Sequence, residues 1–127
     1  MIVLDENIRD THAEILRQAG IACRKIGREL TSKGTSDANI IPLLHRLKHP
    51  TFFTHDIDFW TPELCHANYC IVHLAVKSRA AAHSIQRFLH HPKFATTAKR
   101  LGKVIQIHPM GLSIHGARHG KAVNIDW

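Results

Sequence analysis

Four aspartates of the chain stand where their carboxylates could come together. Asp5 ends the apolar run IVL, Asp56 follows the run TFFT after one residue, Asp37 is expected to open a helix, and Asp58 comes two residues after Asp56. If both runs are parallel strands, their carboxyl ends lie at one edge of a sheet. Carboxylates that close repel each other unless a shared proton, a basic side chain or a divalent cation compensates. An all-oxygen set of this kind suits Mg²⁺ or Mn²⁺, which can hold a phosphate oxygen.

Each of these aspartates also has an ordinary structural interpretation. An aspartate after a strand often forms a turn or caps a helix, and Asp58 could form an Asx-turn toward Phe59 and Trp60. Asp37 suits the first turn of a helix, because a negative charge there is stabilised by the helix dipole. The chemical interpretation therefore depends on Asp5, Asp37 and Asp56 converging in the folded chain.

The spacing of apolar residues predicts an α/β fold. Strands are predicted at residues 2–4, 21–26, 51–54, 69–75 and 103–108, and helices at residues 8–19, 37–48 and 79–91. Alternation of this kind predicts a mostly parallel sheet of four or five strands with helices on both faces. We expect one domain over residues 1–115 and a basic C-terminal tail over residues 116–127, which is mobile or ordered only by a partner.

The charge of the chain favours a polyanionic partner. The 127 residues carry a formal net charge of +7, which raises the local concentration of a nucleic acid by Coulomb attraction. A solvated surface is the alternative explanation for the basic residues. The residues predicted to contact nucleic acid are Arg87, Lys93, Lys99, Arg100 and Lys103, and Arg118, His119 and Lys121 could extend the contact. The twelve histidines are scattered and are expected at surface positions.

Other residues predict the compartment and offer competing sites. Three cysteines without an export signal predict reduced thiols and a cytoplasmic protein, and no apolar run is long enough for a membrane span.

Cys65, His66, Cys70 and His73 are zinc-compatible residue types. In a strand, however, Cys70 and His73 would point to opposite faces, and the C-x₂-C spacing is absent. Phe59 and Trp60 could stack a base, or they could pack in a core or a dimer contact.

Three motifs resemble a known family. LDEN at residues 4–7, SDANI at residues 36–40 and THDIDFW at residues 54–60 are similar to a small family of bacterial PIN-like proteins. That family is grouped with the toxins of toxin–antitoxin pairs and belongs to the wider PIN-domain nucleases. The similarity covers roughly residues 1–115 and includes the RFLHHPKF and KRLGKVIQI stretches.

The resemblance implies a PIN-like three-layer α/β/α sandwich and a metal-dependent endoribonuclease. The ligands of Mg²⁺ or Mn²⁺ would be Asp5, Asp37 and Asp56, and Asp58 would support them or bind a second metal. Thr54 would orient the acidic pair, and Asn7 would hold Asp5 or a water. The implied partners are RNA, a cognate antitoxin and a second copy of the chain in a homodimer. A non-catalytic PIN-like module that binds RNA or protein is the alternative.

Two features differ from the larger PIN nucleases. Their second acidic position is often Glu, whereas this chain has Asp37. Asp56 follows Asp5 by only 51 residues, so the helical arm of larger members is short or absent.

Overall fold

The computed structural model describes residues 1–30, 37–116 and 121–127, and for Asp37 it describes the backbone alone. The strands are β1 (Ile2–Leu4), β2 (Cys23–Lys25), β3 (Thr51–Thr54), β4 (Cys70–Leu74), β5 (Lys103–His108), β6 (Gly111–Gly116) and β7 (Val123–Asp126). The helices are α1 (Asp10–Gln18), α2 (Asp37–Arg46), α3 (Ala81–Leu89) and α4 (Thr97–Arg100). None of the described helices has the length and apolar character needed to cross a membrane.

The strands form one mixed sheet in the order β2-β1-β3-β4-β5-β6-β7. The first five strands in this order are mutually parallel, and β6 and β7 are antiparallel to their neighbours. The central strands β3 and β4 are buried along their whole length, which explains why TFFT and CIVHL are nearly continuous apolar runs. The α/β class is confirmed, and the sheet has seven strands where four or five were expected.

Side chains alternate between the two faces of the sheet. Leu4, Phe53 and Val72 point into a core that includes residues of α1 and α3. Their neighbours Val3, Phe52 and Ile71 point into a second core with residues of α2. Because one-residue steps along a strand change the face, each central strand contributes to both cores. Helices therefore cover both faces of the sheet.

The parallel strands give the sheet two functionally different edges. We call the edge where these strands end, at Leu4, Thr54, Leu74 and His108, the carboxyl edge. We call the opposite edge, where Thr51, Cys70 and Lys103 begin their strands, the amino edge. Helix α2 connects the parallel strands β2 and β3, so it must run back across the sheet and begin near the carboxyl edge.

Part of the C-terminal tail belongs to the sheet. Residues 123–126 form β7 and pair with β6, so the expectation of a mobile or partner-ordered tail is wrong for these residues. Gly111 explains the close pairing, because a Cβ atom there would lie 2.2 Å from the carbonyl oxygen of Ile125. Ser113 Oγ donates a hydrogen bond of 2.6 Å to Asn124 Oδ1 across the same pair of strands. The predicted contacts at Arg118 and His119 lie outside the described residues.

Candidate active site

Asp5 is a buried carboxylate at the carboxyl edge. Its side chain follows the last residue of β1 and is only 6% exposed. Thr54 Oγ1 donates to Asp5 Oδ2 over 2.6 Å, and the Glu6 N–H donates to Asp5 Oδ1 over 2.7 Å. Burial raises the pKa of Asp5, these two hydrogen bonds oppose the rise, and the nearby carboxylates of Asp56 and Glu6 add to it. Within the described residues, the charges that shift this pKa are both negative.

Thr54 connects Asp5 to Asp56. The Thr54 side chain is fully buried, and its hydroxyl accepts a hydrogen bond of 2.9 Å from the Asp56 N–H while it donates to Asp5. The predicted orienting role of Thr54 therefore corresponds to two specific contacts. They hold the first residue of the acidic pair beside the end of β1, where Asp56 raises the pKa of Asp5.

Asp58 lies at the exposed rim of the same region. Asp56 is the N-cap of a 3₁₀ turn at Ile57–Phe59, and its Oδ1 accepts a hydrogen bond of 2.9 Å from the Asp58 N–H. This contact is the Asx-turn that the sequence allowed, although the aspartate that forms it is Asp56. Asp58 itself is exposed, so its carboxylate is available to solvent near Asp56.

Asn7 has a different contact from the expected one. Its Oδ1 accepts a hydrogen bond of 3.2 Å from the His55 N–H. The resemblance implied that Asn7 holds Asp5 or a water, whereas the structure shows it joining the loop after β1 to the end of β3. Asn7 therefore helps to keep the loops of Asp5 and Asp56 together.

The third expected ligand, Asp37, is only partly described. Its backbone opens α2, as predicted, and the crossover between parallel strands brings that end of the helix toward the carboxyl edge. Its side chain lies outside the described part of the structure. Among the described residues, no group of three or more His, Cys, Asp or Glu side chains is arranged to hold a metal ion.

A buried pair of histidines adjoins the acidic residues, which differs from the expected surface positions. His73 is only 4% exposed, pairs in register with Thr54, and has its Nδ1 3.1 Å from Gln106 Nε2. The ring also hydrogen-bonds to the His55 backbone, and burial lowers the pKa of His73. A histidine inside the apolar run CIVHL, aligned with TFFT, was the signal that could have placed it here.

The second buried histidine, His12, extends this cluster toward α3. Its Nδ1 accepts a hydrogen bond of 3.2 Å from the Ala82 N–H, and burial lowers the pKa of His12. His55 lies near it and has its Nδ1 3.3 Å from the Leu74 carbonyl oxygen. Within the described residues, the buried Nε2 atom of His55 has no hydrogen-bond partner. Imidazoles of lowered pKa stay neutral near pH 7, so they do not compensate the carboxylates.

The predicted nucleic-acid residues do not form one surface. Lys93, Lys99 and Lys103 line a pocket at the amino edge, away from the aspartates. Arg100 is only 6% exposed, and its guanidinium donates to Thr51 Oγ1 and to the Phe94 carbonyl oxygen. The prediction that Arg100 contacts nucleic acid is wrong, because this side chain is part of the interior.

Phe59 and Trp60, the two candidates for stacking a base, have different environments, and Arg87 contacts a third aromatic ring. Phe59 is 3% exposed and packs edge-to-face on Phe52 with ring centroids 5.3 Å apart, so it belongs to the core. Trp60 packs against His115 at 4.3 Å. Arg87 lies on α3, where its guanidinium carbon is 4.3 Å from the centroid of the Trp127 ring.

Replacing Thr54 with valine is expected to lower the free energy of unfolding by about 2 kcal/mol. Valine keeps the shape of the side chain, but it leaves the buried Asp5 oxygen and the Asp56 N–H without their shared partner. Urea unfolding at pH 7 measures the change, and Thr54→Ser is the matched control because it retains the hydroxyl. Equal stability of the valine and serine variants would contradict the linking role of Thr54.

The pH dependence of stability should carry the signature of Asp5. Because the folded state raises the pKa of Asp5, it binds a proton more tightly than the unfolded state does. The metal-free wild type should therefore lose stability relative to Asp5→Asn as the pH rises from the unfolded to the folded pKa of Asp5. Above the folded pKa the difference should be constant. Paired urea unfolding in EDTA from pH 4 to pH 8 measures the free energy of unfolding of both proteins. A wild type that gains stability relative to Asp5→Asn as the pH rises would contradict the assignment.

Comparisons of the chain with protein-family models, with curated proteins and with solved structures find no match. The resemblance to PIN-like proteins therefore stays a prediction that rests on the three motifs. What the structure adds is the geometry of one candidate site, in which Thr54 joins the buried Asp5 to Asp56 at the carboxyl edge.

Proposed function

We propose that this chain is a metal-dependent endoribonuclease of PIN-like type. The observation that carries the proposal is the environment of Asp5, a buried carboxylate whose pKa is raised by burial and by Asp56. A buried negative charge beside a second carboxylate is unfavourable unless a proton or a cation compensates it. A divalent cation that binds oxygen ligands would relieve this cost and give the site its chemistry.

The ligands in this proposal are Asp5, Asp56 and Asp37, with Asp58 in a supporting position. Their oxygens are of the type that Mg²⁺ and Mn²⁺ prefer, and the proximity of Asp56, which raises the pKa of Asp5, supports the fit of these two. When bound, such an ion supplies a Lewis acid that stabilises the charge developing on a phosphodiester. Thr54 keeps Asp5 and the backbone of Asp56 in fixed positions, so little rearrangement is needed on binding.

The substrate class follows from charge. A chain with a net charge of +7 attracts a polyanion, and Asp5 and Asp56 then form a local acidic site on a chain that is basic overall. RNA is the substrate that the PIN-like resemblance implies. The same proposal includes a PIN-like sandwich fold for residues 1–115, a cytoplasmic location, a homodimer and a cognate antitoxin protein as partner.

A non-catalytic module that binds RNA is the second candidate. The observation that favours it is the net charge of +7, which attracts RNA whether or not a cation binds at Asp5. Such a module would keep the basic charge and the fold but would have no cation at Asp5.

RNA cleavage distinguishes the two candidates. A 5′-labelled single-stranded RNA is incubated with the protein in Mn²⁺, in Mg²⁺ and in EDTA. The nuclease proposal expects fragments in either metal and none in EDTA. Binding of the RNA without fragments in any of the three conditions would support the module and contradict the nuclease.

A further inference from the structure

A cavity at the carboxyl edge lies between the segment after β4, helix α3 and Trp127. Its volume is about 320 Å³. Three cationic side chains line it: Lys77, Arg79 and Arg87. Its apolar wall includes Val76, Pro109 and Trp127. We call this cavity the cationic pocket.

The cations of this pocket are available to a ligand. Within the described residues, none of Lys77, Arg79 and Arg87 forms an ion pair with a carboxylate. All three side chains are exposed. Clustered cationic side chains that form no ion pairs attract a phosphate-bearing ligand.

Trp127 gives the pocket a fixed wall. Its indole N–H donates a hydrogen bond of 3.1 Å to the His108 carbonyl oxygen. The guanidinium of Arg87 lies over the ring at 4.3 Å, an arrangement that a cation–π interaction stabilises. One cation and one aromatic wall are therefore held in place before any ligand binds.

The cationic pocket adjoins the candidate active site through His12 and His55. His55 follows Thr54 directly and contacts the Leu74 carbonyl at the end of β4. His12 hydrogen-bonds to the backbones of Ser78 and Ala82. The segment that bears Lys77 and Arg79 is thus attached, through these two histidines, to the loop that bears Asp56.

We propose that the cationic pocket binds a nucleotide of single-stranded RNA beside the candidate active site. Lys77, Arg79 and Arg87 contact phosphate oxygens of the backbone, and the wall at Trp127 and Pro109 contacts the ribose and base. A ligand with phosphates alone would use the cations but leave the apolar wall without a partner. This inference rests on the proposed function, because it assigns a binding site to the part of the same RNA substrate that lies next to the candidate active site.

The pocket at the amino edge offers an internal comparison. Lys99 Nζ donates to the Pro92 carbonyl oxygen and Lys103 Nζ donates to the Lys99 carbonyl oxygen, each over 2.8 Å. These ammonium groups are engaged with the backbone and lie at the opposite edge from Asp5. Lysines of this pocket therefore serve as matched controls of equal charge.

Fluorescence anisotropy with a labelled single-stranded RNA of ten nucleotides tests the proposal. Binding is measured in EDTA with the wild type, with Lys77→Ala/Arg79→Ala and with Lys99→Ala/Lys103→Ala. We expect the first pair to weaken binding about tenfold and the control pair less than about threefold at the same salt concentration. Thermal unfolding verifies that both double variants are folded. Equal losses in the two double variants would overturn the proposal.

The proposed contact of an RNA base with Trp127 can be tested by tryptophan fluorescence. Trp127 is the only tryptophan left in a Trp60→Phe variant, since the chain has two. Titration with the same RNA should change the emission of Trp127, whereas inorganic tripolyphosphate at equal phosphate concentration should change it much less. No change with RNA, or the same change with both ligands, would overturn the base contact.

The outcomes separate this inference from the proposed function. If the wild type does not cleave RNA in Mn²⁺ but binding depends on Lys77 and Arg79, the nuclease fails and the pocket assignment stands. If the wild type cleaves RNA while the pocket variants bind like the control, the pocket assignment fails and the nuclease stands.

Discussion

Replacing Asp5 with asparagine is expected to lower the rate of RNA cleavage at least about a hundredfold. Asparagine has nearly the same shape, so the side chain still fits its buried site at the end of β1. It carries no charge, however, and only one of its two terminal atoms can ligate a hard cation. The loss should appear in single-turnover cleavage of single-stranded RNA at saturating protein in Mn²⁺.

The control for this prediction is Glu63→Gln. Glu63 is exposed in the 3₁₀ turn at Pro62–Leu64, away from the contact of Thr54 with Asp5, and its substitution also removes one negative charge. Its cleavage rate should stay within about twofold of the wild type. The account is contradicted if Asp5→Asn retains full activity, or if both variants lose activity to the same extent. Purification of all variants by one procedure excludes a contaminating nuclease.

Replacing Arg100 with alanine is expected to lower the free energy of unfolding by about 3 kcal/mol. The buried guanidinium donates to Thr51 Oγ1 over 2.9 Å and to the Phe94 carbonyl oxygen over 2.8 Å. Alanine would leave the buried Phe94 carbonyl without this donor and would leave a cavity beside the start of β3. A loss of this size lowers the melting temperature by roughly 10 °C in a domain of this length.

Lys99→Ala provides the matched control for Arg100, because it removes a neighbouring positive charge from the exposed face of α4. Its expected change in stability is below about 1 kcal/mol. In RNA binding the folded fraction of Arg100→Ala should behave like the wild type, since this side chain does not reach the surface. A stable Arg100→Ala variant with weak RNA binding would instead support the role that the sequence suggested.

The strands and the pairing of Asp5 with Asp56 could be predicted because they depend on local pattern. Continuous apolar runs such as IVL are typical of strands buried on both faces, and parallel strands end at one edge by geometry. The sequence places Asp5 directly after one such strand and Asp56 shortly after another. Thr54 then joins them, since the last residue of β3 points toward the end of β1.

The roles of single polar residues could not be predicted in the same way. Arg100 stands in a basic stretch that looks like a surface, and its burial depends on Thr51, which is distant in sequence and adjacent only in the folded sheet. The strand at residues 123–126 alternates Val123 and Ile125 with polar residues, but it is only four residues long and follows a basic, glycine-containing stretch. Its pairing with β6 therefore could not be inferred from local pattern. His12 is likewise buried through a contact between elements, the hydrogen bond from the Ala82 N–H.

The central claim is that Asp5 and Asp56, with Asp37, hold a divalent cation. Electron paramagnetic resonance of free Mn²⁺ during a titration with metal-free protein measures this binding directly. The account predicts that the wild type and Glu63→Gln remove Mn²⁺ from solution at a saturable site, and that Asp5→Asn and Asp56→Asn bind it at least about tenfold more weakly. Equal Mn²⁺ binding by the wild type and both aspartate variants, or no binding by the wild type, would contradict it.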